Sequence, residues 1–191
     1  MLDVTSGRAA AFVAGGGRLE ILTAEESHAA RLKALVAEAL AHEGQNWSRK
    51  PPRPIEAEIS LDEIHALIAA PRSRLLVAVQ GDAILGCVLV TCLPCGRSAL
   101  GLLGVDPTSR RRGLGARLIA AAELTAENEF GSDQIELCVL AERQKLASYY
   151  ARFGFAPTGE HRTVPLADAT MEFIVMAKPL VQPIAACAAV N

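Results

Sequence analysis

The sequence predicts one α/β domain built on a mixed β-sheet. Three observations carry that expectation. Segments with helical spacing of apolar residues are interleaved with short apolar or alternating runs, in the order β-α-α-β-β-β-α-β-α-β-β. No internal repeat and no linker to a second domain interrupts the 191 residues, a length suited to a single domain with its own core. Hydrophobic residues make up 51% of the chain, yet no apolar run is long enough to span a bilayer.

Taken in order, residues 1–17 hold a short apolar piece, Ala9 to Ala14, followed by Gly15-Gly16-Gly17, and read as a flexible leader ahead of the domain. A signal peptide is the alternative reading of this stretch, but its apolar core is short and the charge before it weak. Arg18 to Leu22 is a first strand. Thr23 and Glu26 have the spacing of a capping box, opening a helix whose Leu32, Leu35, Val36, Ala39 and Leu40 share a face. Gly44, Pro51, Pro52 and Pro54 end regular structure from His42 onward. A second capping box, Ser60…Glu63, starts a short helix carrying Ile64, Leu67 and Ile68.

Leu75 to Val79 is apolar throughout, as a central strand is, and a turn at Gln80-Gly81-Asp82 returns it as Ile84 to Thr91. Ala99 to Val105 is the next strand, with Gly101 and Gly104 inside it. A helix from about Gly113 to Phe130 buries Leu114, Leu118, Ala121 and Ala122. Ile135, Leu137 and Val139 alternate with Glu136 and Cys138 as a half-buried strand, and Lys145 to Phe153 is a helix ended by Gly154. Strands from Phe155 and from Glu172 to Met176 close the domain, placed at residues 18–180, with 181–191 as a C-terminal tail.

Composition narrows the function. A formal charge of −2 gives no global basic field for nucleic acid, and the lack of a spanning segment argues against a membrane role. Five cysteines, an odd number at scattered positions, do not form a disulfide framework, so a reducing cytoplasm is the expected compartment. Cys92-Leu-Pro-Cys95 lies between two strands, not at a helix start, and reads as strand end and loop instead of a redox pair.

The functional lead is Thr108 to Ile119, where Arg110, Gly113 and Gly115 form Arg-x-x-Gly-x-Gly at the mouth of a helix. A helix start leaves about four backbone N–H groups unpaired and carries roughly half a positive charge. Here no capping residue covers it, and Arg110, Arg111 and Arg112 add charge that the helix dipole disfavours. Such an end suits a phosphate or pyrophosphate. The same pattern is also compatible with a plain helix start beside a solvated arginine face.

One strand and one helix further on stands Ser148-Tyr149-Tyr150-Ala-Arg-Phe-Gly154-Phe155. With both pieces in this order, Arg110-Gly113-Gly115 and Tyr150-Gly154-Phe155, the chain resembles the GNAT superfamily of acyl-CoA-dependent N-acetyltransferases, over nearly the whole domain. The resemblance implies a mostly antiparallel mixed sheet, splayed at its fourth strand and flanked by helices. It implies acetyl-CoA as co-substrate, with the pyrophosphate on the backbone of Arg111, Arg112, Gly113, Leu114, Gly115 and Ala116, and Arg110 close by. The pantetheine arm would lie along Leu103, Gly104 and Val105, with a bulge at Gly104 opening the sheet and a backbone N–H there holding the oxyanion. Tyr150 would be the acid at the departing thiolate, whereas its spacing alone reads as a core aromatic on a stripe with Leu146 and Phe153. Tyr149 is expected to point elsewhere and pack.

The sequence departs from the family in two places. The asparagine that many members place seven residues before the tyrosine is Arg143, kept here as a cofactor contact. No carboxylate lies on Ala99 to Val105, so the general base falls first to Glu136, then to Glu172 and His161, or to a water relay. The loop from His42 to Arg53 would build the acceptor pocket, with Trp47 either walling it or covering the core edge, and Arg49, Lys50 and Arg53 either disfavouring polyamines by charge or facing solvent. The function so implied is acetyl transfer to a primary amine of a small molecule or peptide. A non-catalytic acyl-CoA sensor and a phosphate-binding subunit are the competing readings, and a homodimer is left open.

Overall fold

The computed structural model describes residues 8–13, 18–44, 59–110, 112–166 and 169–180. Among these, one sheet runs in the order β1 (Arg8–Val13), β2 (Arg18–Thr23), β3 (Ser73–Gln80), β4 (Ala83–Cys92), β5 (Arg97–Val105), β6 (Gln134–Leu140), β8 (Ala169–Pro179), β7 (Ala156–Leu166). Helices α1 (Ala29–Gly44) and α2 (Leu61–Ala69) cover one face, and α3 (Leu114–Asn128) and α4 (Gln144–Ala151) the other. Within the expected leader, residues 8–13 form β1, antiparallel to β2. Alanines at 9–11 lack the branched or aromatic signature of a strand, so its pairing is set by the neighbouring edge and not by propensity. Residues 1–7, 14–17 and the expected tail from 181 lie outside the described residues.

The central strands are buried on both faces. On β3, Leu76 and Ala78 pack toward α3 while Leu75 and Val77 pack toward α1 and α2. That alternation explains why this stretch is apolar throughout. The α1 stripe is Ala29, Leu32, Leu35, Val36 and Ala39, all buried as the spacing expects.

Every strand pair is antiparallel except β5 with β6, and that pair is short. It joins Arg97 to Gln134, Ser98 to Ile135 and Ala99 to Glu136, then stops, while β6 continues against β8 as far as Leu140. Past Ala99 the two strands part company, which is the splay expected at this strand.

On its other side β5 carries a bulge. Cys87 pairs with Gly104 and Leu89 with Gly101, so Val88 alone faces both Leu102 and Leu103. Leu102 takes a φ of 44°, in the left-handed region that bulky residues avoid. The extra residue lets Leu100 and Leu103 both meet the α3-side core, although they are three apart. The bulge is therefore at Leu102–Leu103 and not at Gly104. Gly104 is glycine for another reason: a β-carbon there would lie 3.1 Å from Leu35 Cδ2 and 3.5 Å from Cys87 Sγ, under α1.

Candidate active site

The turn between β5 and α3 is held from two sides. Asp106 accepts hydrogen bonds from the Thr108 backbone N–H (2.9 Å) and hydroxyl (2.5 Å), closing a single 3-10 turn over Pro107–Ser109. Arg31 of α1 reaches the other carboxylate oxygen at 2.8 Å. The Thr108 hydroxyl, then its backbone N–H and the Arg31 charge, hold the Asp106 carboxyl below its ordinary range.

The chain then enters α3 through Gly113, which has φ 72° and ψ 11°. A β-carbon is disfavoured there by the left-handed backbone. Among the described residues no side chain caps this helix, and its first internal bond runs from the Arg117 N–H to the Gly113 carbonyl at 3.2 Å. The N–H groups of Leu114, Gly115 and Ala116 thus have no helical acceptor. The start of α2 is the contrast. There the Ser60 N–H donates to Glu63 Oε2 at 2.7 Å and the Glu63 N–H to Ser60 Oγ at 3.1 Å, the expected capping box, whose backbone bond lowers the Glu63 pKa. Ahead of α1 the cap falls on Glu25, whose N–H donates to His28 Nδ1 at 3.0 Å, and not on Thr23, which ends β2.

A cavity of about 790 Å³ opens between the free side of β5, the bare end of α3 and one face of α4. Leu103 and Val105 supply one wall, Arg110 and the run Gly113 to Ala116 another, and Tyr150 the third. Arg110 Nε also donates to the Val105 carbonyl at 3.5 Å. Tyr150 is 8% exposed, its ring edge-to-face with Tyr149 and Phe155 at centroid distances of 5.4 and 5.9 Å.

Other residues expected at the site lie elsewhere. Gly104 turns toward α1, Arg112 is exposed, and Arg143 stands at the N-cap of α4 without lining the cavity. Glu136 is 2% exposed, and its two oxygens accept from Arg97 Nη1 at 3.1 Å and Arg162 Nη2 at 2.8 Å. Arg162, bound also to Glu160, is held more firmly protonated than usual by these carboxylates. His161 Nδ1 and Glu172 Oε1 pair with each other at 2.6 Å on the exposed β7–β8 hairpin. Arg111, Trp47, Arg49, Lys50 and Arg53 lie outside the described residues.

The structure also adds members. Tyr149, expected to point away, lines the cavity together with Arg152 and Phe153. Their spacing of three and four residues puts them on one helix face, a pattern legible in the sequence. The Arg152 guanidinium lies 5.1 Å from the Tyr149 ring centroid, and burial raises the Tyr149 pKa. The cavity so assembled has anion donors at one end, an open strand edge along its length and a buried phenol at the other wall.

Comparison with known proteins gives a concordant picture. The family model described as the acetyltransferase (GNAT) family matches residues 37–155, more than half of the chain. Among solved structures, the fold is similar to the ribosomal-protein-S18-alanine N-acetyltransferase from Escherichia coli (18% identity, TM-score 0.65, covering 86% of this chain and 96% of that one). It is also similar to yncA, a putative acetyltransferase from Salmonella typhimurium with its cofactor acetyl-CoA (14%, 0.66, 89% and 98%). A spermidine N-acetyltransferase SpeG chimera from Vibrio cholerae and hSSAT matches at 17% identity and TM-score 0.64, over 85% and 95%. No curated protein matches the sequence.

Proposed function

The chain belongs to the acetyltransferase (GNAT) family, and from that premise we propose that it moves an acetyl group from acetyl-CoA to a primary amine of a small molecule or peptide. The observation that carries the proposal is the capless start of α3, opening into the same cavity as Tyr150 and the unpaired edge of β5.

The residues present fit the co-substrate. The N–H groups of Leu114, Gly115 and Ala116 are donors of the right kind for a diphosphate, with Arg110 adding charge. Leu103 to Val105, past the last β6 pairing, offer peptide groups to an amide-bearing arm in the manner of an added strand. When bound, acetyl-CoA would supply an acetyl thioester, whose carbonyl a neutral amine can attack with the coenzyme A thiolate as leaving group. Tyr150 is the hydroxyl that would donate a proton or hydrogen bond to the departing thiolate. Backbone N–H groups of β5 beyond the bulge serve the carbonyl oxygen of the acyl group.

An alkylammonium acceptor must lose its proton before attack. Glu136 is the first candidate from sequence for that role, but its two oxygens are already engaged by guanidinium groups, and two arginines at the same spot repel a cationic amine. Its geometry favours a structural clasp, and in this reading water carries the proton away. The choice of amine as acceptor class is supported by solved neighbours named for spermidine and for a ribosomal-protein alanine.

A thiol-release assay over a panel of primary amines and peptide N-termini tests the proposal. Turnover with at least one acceptor, slowed on the order of a hundredfold by Tyr150→Phe, is the expected result. Acetyl-CoA binding with no transfer to any amine would replace it with a binding module.

A further inference from the structure

The second glycine of Arg-x-x-Gly-x-Gly has a neighbour that its motif does not mention. A β-carbon on Gly115 would stand 2.5 Å from the Tyr149 hydroxyl oxygen and 3.7 Å from its Cζ. Position 115 is bare because the phenol of α4 occupies the space a side chain would fill. The ring itself is fixed, edge-to-face against Tyr150 at 5.4 Å and Phe153 at 5.0 Å, with Arg152 over it.

We propose that the Tyr149 hydroxyl is a cofactor-binding group, donating a hydrogen bond to the coenzyme A diphosphate at the start of α3. The inference rests on the acetyl-CoA reading given above and deepens it. On a helix each Cα–Cβ bond tilts toward the N-terminus, so a group seated where the Gly115 β-carbon would point is displaced toward the open end. That is the end of α3 where the N–H groups of Leu114, Gly115 and Ala116 lack helical acceptors. Among the described residues, none accepts a hydrogen bond from this hydroxyl, and Tyr149 lines the cavity wall. Burial raises its pKa, so at neutral pH the phenol keeps the proton that a phosphate oxygen needs. Tyr149 and Tyr150 then divide the ligand between them, one at the phosphate end of the arm and the other at the thioester end.

The test is binding by the full chain, measured by titration calorimetry with coenzyme A and, by competition, with pantetheine, which lacks the diphosphate. Tyr149→Phe, which keeps the ring and removes only the hydroxyl, is expected to weaken coenzyme A about tenfold, the effect of one hydrogen bond to a charged group, and to leave pantetheine within about twofold. Equal affinity of wild type and variant for coenzyme A overturns the inference while leaving the acetyl-CoA reading intact. Equal losses for both ligands also overturn it, because the hydroxyl would then act through packing alone. No coenzyme A binding by the wild-type chain overturns both readings. A second, ligand-free measurement checks the geometry: Gly115→Ala is expected to lower the melting temperature more in the wild-type background than beside Tyr149→Phe, where the clashing oxygen is gone. Equal decreases in the two backgrounds would contradict the placement of the phenol.

Discussion

Gly104 of β5 lies directly beneath Leu35 of α1, whose Cδ2 would stand 3.1 Å from a β-carbon at position 104. Leu35 and Cys87, the second neighbour, are both fully buried, and burial pushes the Cys87 thiol up to about 12. Neither can retreat without moving the sheet or the helix.

Gly104→Ala is therefore expected to cost roughly 1–3 kcal/mol of stability, the usual range for overpacking a filled core. Urea unfolding measures it. A loss below about 0.5 kcal/mol, the scatter of a surface change, would mean that α1 does not press on β5 as described.

Glu136 joins β6 to β5 through Arg97 and to β7 through Arg162. Glu136→Gln keeps the shape and removes the charge, and is expected to cost about 1–3 kcal/mol, below the figure for a fully buried pair because both arginines are partly exposed. Since the clasp is structural in this account, the pH profile of kcat/KM keeps its acidic limb in the variant. Loss of that limb with stability unchanged would restore Glu136 as the base.

Asp106 gives a pH signature. Its folded pKa is depressed by Thr108 and Arg31, so between the folded and unfolded values the unfolded chain binds more protons and stability rises with pH. The contribution is complete above the unfolded value of about 3.9 and is lost as pH falls through the lower folded one. The stability gap between wild type and Asp106→Asn, from urea midpoints between pH 7 and pH 3, is expected to narrow only at the acid end. A gap constant over that range would show that the carboxylate does not secure the turn.

Ser60 caps α2 through the Glu63 N–H. Ser60→Ala is expected to cost about 1 kcal/mol, readable in the same unfolding experiment, while leaving coenzyme A binding untouched because α2 is not part of the cavity wall. No measurable loss would show that the capping box is not formed in solution.

Much of this architecture is written locally. The α1 stripe from Leu32 to Ala39, the Ser60–Glu63 box and the uncapped glycine start of α3 each depend on residues within a few positions, and spacing alone locates them. What sequence reading missed depends on partners far along the chain. The bulge sits at Leu102 because Val88 of β4 faces two residues at once, and nothing in the local sequence marks a leucine for positive φ. Glu136 looks like a half-exposed strand residue until Arg162, from a later hairpin, closes over it. Tyr149 and Tyr150 sit next to each other in the sequence, and only the packing of α4 against α3 shows that both rings reach the cavity.

The most direct measurement is a structure of the protein with coenzyme A bound. The expected result is a diphosphate on the N–H groups of Leu114, Gly115 and Ala116, an arm running beside Leu103 to Val105, and a sulfur next to the Tyr150 hydroxyl. A diphosphate bound away from the start of α3, or a sulfur remote from Tyr150, would contradict the account.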